Sequence, residues 1–370
     1  MKGRAWLIVV TAAALLLPAS AQAITYAPVD QPGPPLSVPQ SDLAASLTCT
    51  GNLASGPTPV LLVPGTAYTP RTDFSWGWEP ALDKLGISWC AVELPGIALG
   101  DSQVAGEYVV NAIRTMYGSA GRRIAIIGHS QGGMVPRWAF RFWPDTRAMV
   151  DDLIGLSPSN HGTYDSDFAC LPGCPPAAWQ QAEKAEFIKA LNSYQETFPG
   201  ISYTNAYTNT DEIVTPNFGG SPSSALHGGG GEITNVAIQD ICPLDLNEHL
   251  AIGTYDPVAY ALAIDALFHT GPADGPRVGL APCAQALMPG VDPVTFPTDN
   301  ASSVASVAQA YGTYPPVPAE PPLKCYVTAG CPQAGVAAVA AKKAKCKKRK
   351  RAHRAETSKR RHCKKRRKKR

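Results

Sequence analysis

Residues 123–142 read RIAIIGHSQGGMVPRWAFRF, and the order of residue types in this stretch sets the fold. Arg123 to Ile127 is a short apolar run rich in β-branched residues, the pattern of a buried strand. From Gln131 to Phe142 the apolar residues Met134, Val135, Trp138, Ala139 and Phe142 recur at helical spacing. Between the two lies Gly128-His129-Ser130-Gln131-Gly132, a Gly-x-Ser-x-Gly turn. Strand, sharp turn and helix predict a nucleophile elbow, which lifts the Ser130 hydroxyl above the end of a sheet; the small glycines let strand and helix pass close to it. The Ser130 and Gln131 amides then open a helix N-terminus, where negative charge is favoured. The five-residue string alone often arises by chance, and its flanks give it weight.

A serine hydroxyl is a weak nucleophile without a base, and the base needs an orienting carboxylate. After an elbow of this kind the partners follow in the order acid, then histidine. Ile201 to Thr208 alternates as a strand and runs into Thr210-Asp211-Glu212, so Asp211 falls at a strand end, where open α/β sheets carry function. Asp240 and Asp245 compete with it, and an ordinary turn carboxylate is the plain alternative. Asn247-Glu248-His249-Leu250 offers His249 on a loop ahead of a helix, a packed loop histidine being its plain alternative. His129 belongs to the elbow. His161 precedes any candidate acid, so as base its order is wrong, but it is placed to line the site. His227 lies in a glycine run, His269 ends a helix as a capping or surface residue, and His353 and His362 lie in a basic tail.

An oxyanion needs two or more donors. The Gln131 amide is one, as the residue after the nucleophile. The strand Val60-Leu61-Leu62-Val63 runs into Pro64-Gly65-Thr66, a glycine-bearing turn that offers a backbone amide and the Thr66 hydroxyl. His227-Gly228-Gly229-Gly230 resembles the oxyanion motif of another esterase group, but there the motif precedes the nucleophile. Here it follows by almost a hundred residues and is expected to form a flexible hairpin turn.

The rest of the 370 residues bounds this picture. Lys2 and Arg4, an apolar stretch from Trp6 to Leu17 and Ala21-Gln22-Ala23 predict a cleaved export signal over residues 1–23, with a mature start near Ile24. No other run is long enough for a transmembrane helix. Ten cysteines in an exported chain point to disulfides rather than a metal site. Cys170-Leu171-Pro172-Gly173-Cys174 has no second ligand pair nearby and is expected to close a small local loop.

The net charge of +4 conceals a division: residues 342–370 hold 19 Lys and Arg against one acid, Glu356, whereas the remainder is acidic. Such a polycation repels itself and buries no core, so disorder is expected there. It suits anionic partners, whether cell-wall phosphate, acidic glycan, nucleic acid or anionic lipid. A solvated tail with no fixed partner is the plain alternative.

Residues 24–48 form a proline-rich lead-in and a short helix from Ser41 to Leu47. One large domain is expected over 49–331, then a linker over 332–341. Within it, strands are expected at Val60–Val63, Ser88–Leu94, Val150–Leu156 and Ile233–Ile238, and helices at Asp101–Tyr117 and Asp256–Phe268. Residues 161–200 are an insertion holding the Cys170–Cys174 loop and a helix from Ala177 to Tyr194; a lid is predicted, with a structural cover as the alternative. Residues 284–341 are expected to wrap the surface. Strands alternating with helices imply a mostly parallel sheet covered on both faces.

Together these segments resemble the Candida antarctica lipase B family of secreted α/β-hydrolases acting on carboxylic esters, including triacylglycerols. The likeness rests on Leu47-Thr48-Cys49, Leu62-Val63-Pro64-Gly65-Thr66, Ser130-Gln131-Gly132-Gly133, Thr210-Asp211-Glu212-Ile213-Val214 and His249, in order over most of residues 37–290. It implies Ser130, Asp211 and His249 as a triad, with Thr66 (amide and hydroxyl) and the Gln131 amide as oxyanion donors. It also implies the pairs Cys49–Cys90 and Cys242–Cys283. Three departures stand out. His129 replaces a tryptophan that shapes the yeast enzyme's alcohol pocket, and Asn160-His161-Gly162 stands where that enzyme has an acidic residue. The basic tail is foreign to the family. Cys325 and Cys331 are candidates for its third disulfide, Cys170 and Cys174 are additional, and Cys346 and Cys363 either pair or stay free.

The expectation is therefore a secreted serine ester hydrolase of α/β-hydrolase fold, monomeric, needing no cofactor or metal, and held at the cell surface by its tail. Within enzymes a short-chain carboxylesterase, a polyester hydrolase and an acyltransferase remain open, since substrate choice lives in the pocket. The rival outside enzymes is a surface-binding protein using the tail, against which a full set of nucleophile, acid, base and oxyanion turn argues.

Overall fold

The computed structural model describes residues 24–331 apart from 165, 167–169 and 171; the export signal expected over 1–23, the linker over 332–341 and the tail over 342–370 lie outside the described residues. Seven strands form one sheet: β1 Leu47–Cys49, β2 Val60–Val63, β3 Trp89–Val92, β4 Ile124–His129, β5 Val150–Leu156, β6 Ser202–Tyr207 and β7 Glu232–Ala237. Their spatial order is β1-β3-β2-β4-β5-β6-β7. Only the β1–β3 pair is antiparallel. The chain winds outward from β2 to β3 and then returns to the other side of β2 as β4. The crevice at such a reversal, outside the strands' C-terminal ends, is where open sheets bind ligands.

The central strands are buried on both faces because each of their faces is apolar. In β4, Ile124 and Ile126 enter one core, while Ala125 and Ile127 enter the other. The same alternation in β2 sends Leu61 and Val63 one way and Val60 and Leu62 the other. The helices Ser102–Ala120, Gln131–Phe142 and Glu186–Leu191 cover the first face, and Trp78–Lys84 and Pro257–Phe268 the second. The Ser102–Ala120 helix starts where the Asp101 carboxylate accepts the Gln103 amide (2.9 Å), and it stops at Gly121 in the left-handed region (φ 64°). Trp138 of the elbow helix is fully buried and stacks on Phe187 at 4.2 Å.

Cys49–Cys90, Cys170–Cys174, Cys242–Cys283 and Cys325–Cys331 are bonded. Among the described residues no helix is long and apolar enough to cross a membrane.

Three local expectations are corrected. The first helix ends at Ala45, because Thr48 and Cys49 pair with Ala91 and Cys90 as strand β1. The helix expected from Ala177 to Tyr194 is two short helices, Pro176–Gln180 and Glu186–Leu191. Between them the Gln181 carbonyl accepts the Thr163 amide (2.8 Å) and Glu183 donates to Thr163 (3.3 Å), so those backbone groups leave the helical ladder. The His227–Gly230 run is no hairpin. It lies in the crossover between β6 and β7, which pair in parallel, and Gly229 bridges Thr197. The stretch expected to wrap the surface includes an 18-residue helix, Phe296–Thr313, in which Ser303 alone is buried.

Candidate active site

Ser130 sits between β4 and the helix that begins at Gln131, with φ 52° and ψ −120°. Its amide donates to the Leu156 carbonyl (2.8 Å) at the end of β5, and its carbonyl accepts the Gly133 amide (2.9 Å). The glycines around it are steric necessities: an added Cβ at Gly128 would overlap the Gly132 carbonyl, and one at Gly132 the Val63 carbonyl.

Asp211 follows β6. Its Oδ1 accepts the amides of Ile213 (3.0 Å) and Val214 (2.7 Å). Its Oδ2 accepts Asn217 Nδ2 (3.0 Å) and lies 2.9 Å from His249 Nδ1. His249 is the first residue of the helix His249–Thr254, where the Glu248 carboxylate caps the amides of Leu250 (2.7 Å) and Ala251 (3.1 Å). The His249 amide donates to Glu212 (3.2 Å). With Nδ1 donating to a carboxylate, Nε2 is the ring's acceptor. The two competitors for the acid are turn and cap residues: Asp240 accepts the Ala237 amide, and Asp245 accepts that of Asn247.

Burial alone would raise the Asp211 pKa and lower that of His249. In both cases their mutual attraction and hydrogen bond outweigh it. Asp211 is lowered, helped by the Val214 and Ile213 amides. His249 is raised, helped by Glu212 and Glu248.

A cavity of about 260 Å³ brings Ser130 and His249 together with Thr66, Tyr68, His129, Gln181, Val214 and Leu250. A larger depression of about 710 Å³, beside residues 234–280, shares no residue with it. The Thr66 hydroxyl accepts from Gln181 Nε2 (2.8 Å) and donates to Gln131 Oε1 (2.8 Å), so the two expected oxyanion residues are tied side chain to side chain. His129 lines the cavity but is fully buried, with Nδ1 2.8 Å from Asp73 Oδ1 and its ring 5.4 Å from that of His249.

Asn160 and His161 are corrected, because the structure draws both away from the cavity. Asn160 is buried, donating to Asn205 Oδ1 (3.1 Å) and the Ser224 carbonyl (2.8 Å) and accepting from Arg137 (3.2 Å). His161 reaches the Ser223 carbonyl (3.1 Å) and Glu196 (3.0 Å). Burial would raise Glu196, but the His161 bond and the Arg137 charge hold its carboxyl down at about 2.

No family model matches the chain. Over 257 residues it is 36% identical to lipase B of Pseudozyma antarctica, which spans 68% of this chain and 74% of that protein. The chain belongs to the Candida antarctica lipase B-like family. Among solved structures, Aspergillus fumigatus lipase B superposes with a TM-score of 0.74 at 30% identity, covering 81% of this chain and 74% of that one. The sheet and helices described above are thus the α/β-hydrolase fold of a lipase B-like chain.

In this lipase B-like chain several residues in or beneath the candidate site carry little signal in the sequence. Gln181 comes from the insertion, and nothing in its neighbours marks it. Val307 and Tyr311 line the cavity from the helix Phe296–Thr313. Their spacing with Val304 (i, i+3, i+7) was the available sign of that helix. Asp73 stands on the helix Pro70–Phe74, announced by a Thr69 cap and a proline at the first position.

Proposed function

We propose that this chain is a secreted serine hydrolase of carboxylic esters, a lipase acting on triacylglycerols or related lipid esters. The observation that carries this is the cavity shared by Ser130 and His249, with Asp211 hydrogen-bonded to the far nitrogen of the His249 ring. His249 Nε2 takes the Ser130 proton as Oγ attacks the ester carbonyl. The tetrahedral oxyanion is held by the Thr66 and Gln131 amides, and by the Thr66 hydroxyl once it turns from Gln131 Oε1. Imidazolium, stabilised by Asp211, returns the proton to the leaving alcohol. Water then repeats the cycle on the acyl-enzyme and frees the acid. The apolar wall from Val214, Leu250 and Val307 favours the hydrocarbon part of the substrate. Four disulfides suit an oxidising, extracellular destination, and the polybasic residues 342–370 suit retention on an anionic surface.

The test is turnover on a series of p-nitrophenyl esters of rising chain length and on emulsified triglyceride, with Ser130→Ala alongside. Wild type should hydrolyse both substrates and react covalently with a fluorophosphonate, and Ser130→Ala should do neither. Hydrolysis confined to short soluble esters would make it a carboxylesterase, and full activity in Ser130→Ala would remove the proposal.

A further inference from the structure

Beneath the elbow lies a second histidine–carboxylate pair that the chemistry above does not use. Asp73 and His129 are both fully buried. Asp73 Oδ1 lies 2.8 Å from His129 Nδ1, and Asp73 Oδ2 accepts the Gly65 amide at 2.9 Å. The side chain accepts on both oxygens, so His129 carries its proton on Nδ1. His129 Nε2 is buried without a hydrogen-bond partner. The His129 ring is wedged in place: Tyr68 lies 5.4 Å away, and a Cβ added at Gly253 would collide with it.

These contacts join two turns that no β-ladder holds in mutual register. Gly65 precedes Thr66 in the turn after β2, and His129 is the last residue of β4, directly before the turn at Ser130. The β2–β4 pairing ends at Val63 and Gly128, short of Gly65 and His129. Beyond that point, among the described residues, the polar links from one turn to the other are the Thr66–Gln131 side-chain bond and this carboxylate bridge, with the Tyr68 ring packed against His129. The Thr66 hydroxyl has to leave Gln131 to serve an oxyanion, whereas no step proposed above requires the Asp73 bridge to open.

We infer that Asp73, acting through His129, is a positioning residue that fixes the Gly65–Thr66 turn against the Ser130 elbow and so sets the spacing of the two oxyanion donors. This rests on the function proposed above. Donors aimed at a developing charge must be held in place before the reaction. A displacement of about 1 Å is enough to cost on the order of 100-fold in rate. The bridge holds the Gly65 amide and the His129 ring; His129 lines the cavity, but the apolar wall of Val214, Leu250 and Val307 is separate from the bridge, so its loss should fall mainly on kcat rather than on KM.

The test uses the full-length protein, with kcat counted per serine titrated to completion by a fluorophosphonate, so that unfolded molecules do not contribute. Asp73→Ala and His129→Leu should lose about 100-fold in kcat with KM within about 3-fold, the signature of a lost transition-state interaction. Affinity for an aryl boronic acid, tetrahedral on Ser130, should fall in parallel. His129→Asn places Nδ2 where Nδ1 lay and still donates to Asp73, so it should keep about ten times more kcat than His129→Leu. If Asp73→Ala yields no folded protein, Asp73→Asn serves, with an expected loss of about 10-fold because its NH2 faces Nδ1. A lowered thermal midpoint with unchanged kcat per titrated serine would overturn the inference, as would equal losses in the two His129 variants. No ester turnover by wild type, or turnover by Ser130→Ala, would instead overturn the function on which it rests.

Discussion

Replacing Asp211 by asparagine turns one carboxylate oxygen into an NH2 group, and the surroundings dictate which. Oδ1 accepts two backbone amides, at 3.0 Å from Ile213 and 2.7 Å from Val214, so the new amide must keep its oxygen there. The NH2 then takes the place of Oδ2, facing Nδ1 of His249. A donor at that position obliges Nδ1 to accept and moves the ring proton to Nε2, the atom that has to receive the Ser130 proton. A wrong tautomer in otherwise intact geometry costs about 10⁴ in kcat, or about 5.4 kcal/mol at 1.36 kcal/mol per decade. Asn217 cannot turn to help, because its Oδ1 accepts the Ser224 amide (3.0 Å) and its Nδ2 also donates to Ser224 Oγ (2.9 Å). It loses one charge-assisted bond, worth about 1.5–3 kcal/mol of stability, so activity should fall much further than folding. The pH profile supplies a second measure. Burial pulls the His249 pKa down, but Asp211, then Glu212 and Glu248, hold it above the ordinary imidazole value. The base works only when neutral. Wild-type kcat/KM should therefore be full above that pKa and decline as pH falls through it, with the limb above about pH 6.5. In Asp211→Asn the residual limb should move to lower pH. Stopped assays on p-nitrophenyl butyrate from pH 4 to 9, beside a denaturation curve, measure both. A folded Asp211→Asn within about tenfold of wild type, or a limb that stays in place, would refute the assignment of acid and base.

Ser130→Gly should be inactive yet more stable. The pair φ 52°, ψ −120° suits glycine, and relief of about 1–3 kcal/mol of strain exceeds the entropic cost of glycine, so calorimetry should show a thermal midpoint higher by a few degrees; a lower one would mean the elbow stores no strain. Deleting residues 342–370 should leave turnover of a soluble ester nearly unchanged and sharply weaken binding to anionic vesicles. Vesicle binding by the full chain should weaken with salt, since exposed charges are screened beyond about 10 Å at 0.1 M; binding that persists after deletion and in high salt would place the contact on the folded body.

The parts of the site legible in the sequence were those whose chemistry is local. The elbow needs small residues at fixed offsets, so Gly128, Ser130 and Gly132 announce it, and the strand and helix around it repeat with clear periods. Asp211 and His249 came from chain order and from nearness to strand ends. Asn160 and His161 misled because they follow β5 directly, as Asp211 follows β6, yet their side chains turn into a polar network with Arg137 and Glu196. Gln181, Val307 and Tyr311 reach the cavity, and Asp73 reaches His129 beneath it, from segments distant in sequence; the spacing or caps of their helices mark the helices but not the contacts. The second half of the insertion looked like one helix because Trp179, Ala182, Ile188 and Leu191 have suitable spacing. Backbone bonds to Thr163, made only in the folded chain, break it.

The two longer disulfides have a consequence for where this chain keeps its shape. Cys49–Cys90 and Cys242–Cys283 each close a covalent ring with a sequence separation of 41. The first ring contains Thr66 and Asp73 and is closed across the paired strands β1 and β3, and the second contains His249, so two segments that contribute to the cavity each lie within a covalent loop. On a chain-entropy basis each closure disfavours the unfolded chain by about 4 kcal/mol, and the two together approach the whole margin, about 5–15 kcal/mol, by which a typical domain stays folded. Thiol chemistry around the protein therefore adds to what holds Thr66 and His249: oxidising surroundings give both segments a covalent closure, and a strong reductant leaves them to the sheet and their hydrogen bonds, as Ser130 and Asp211 already are.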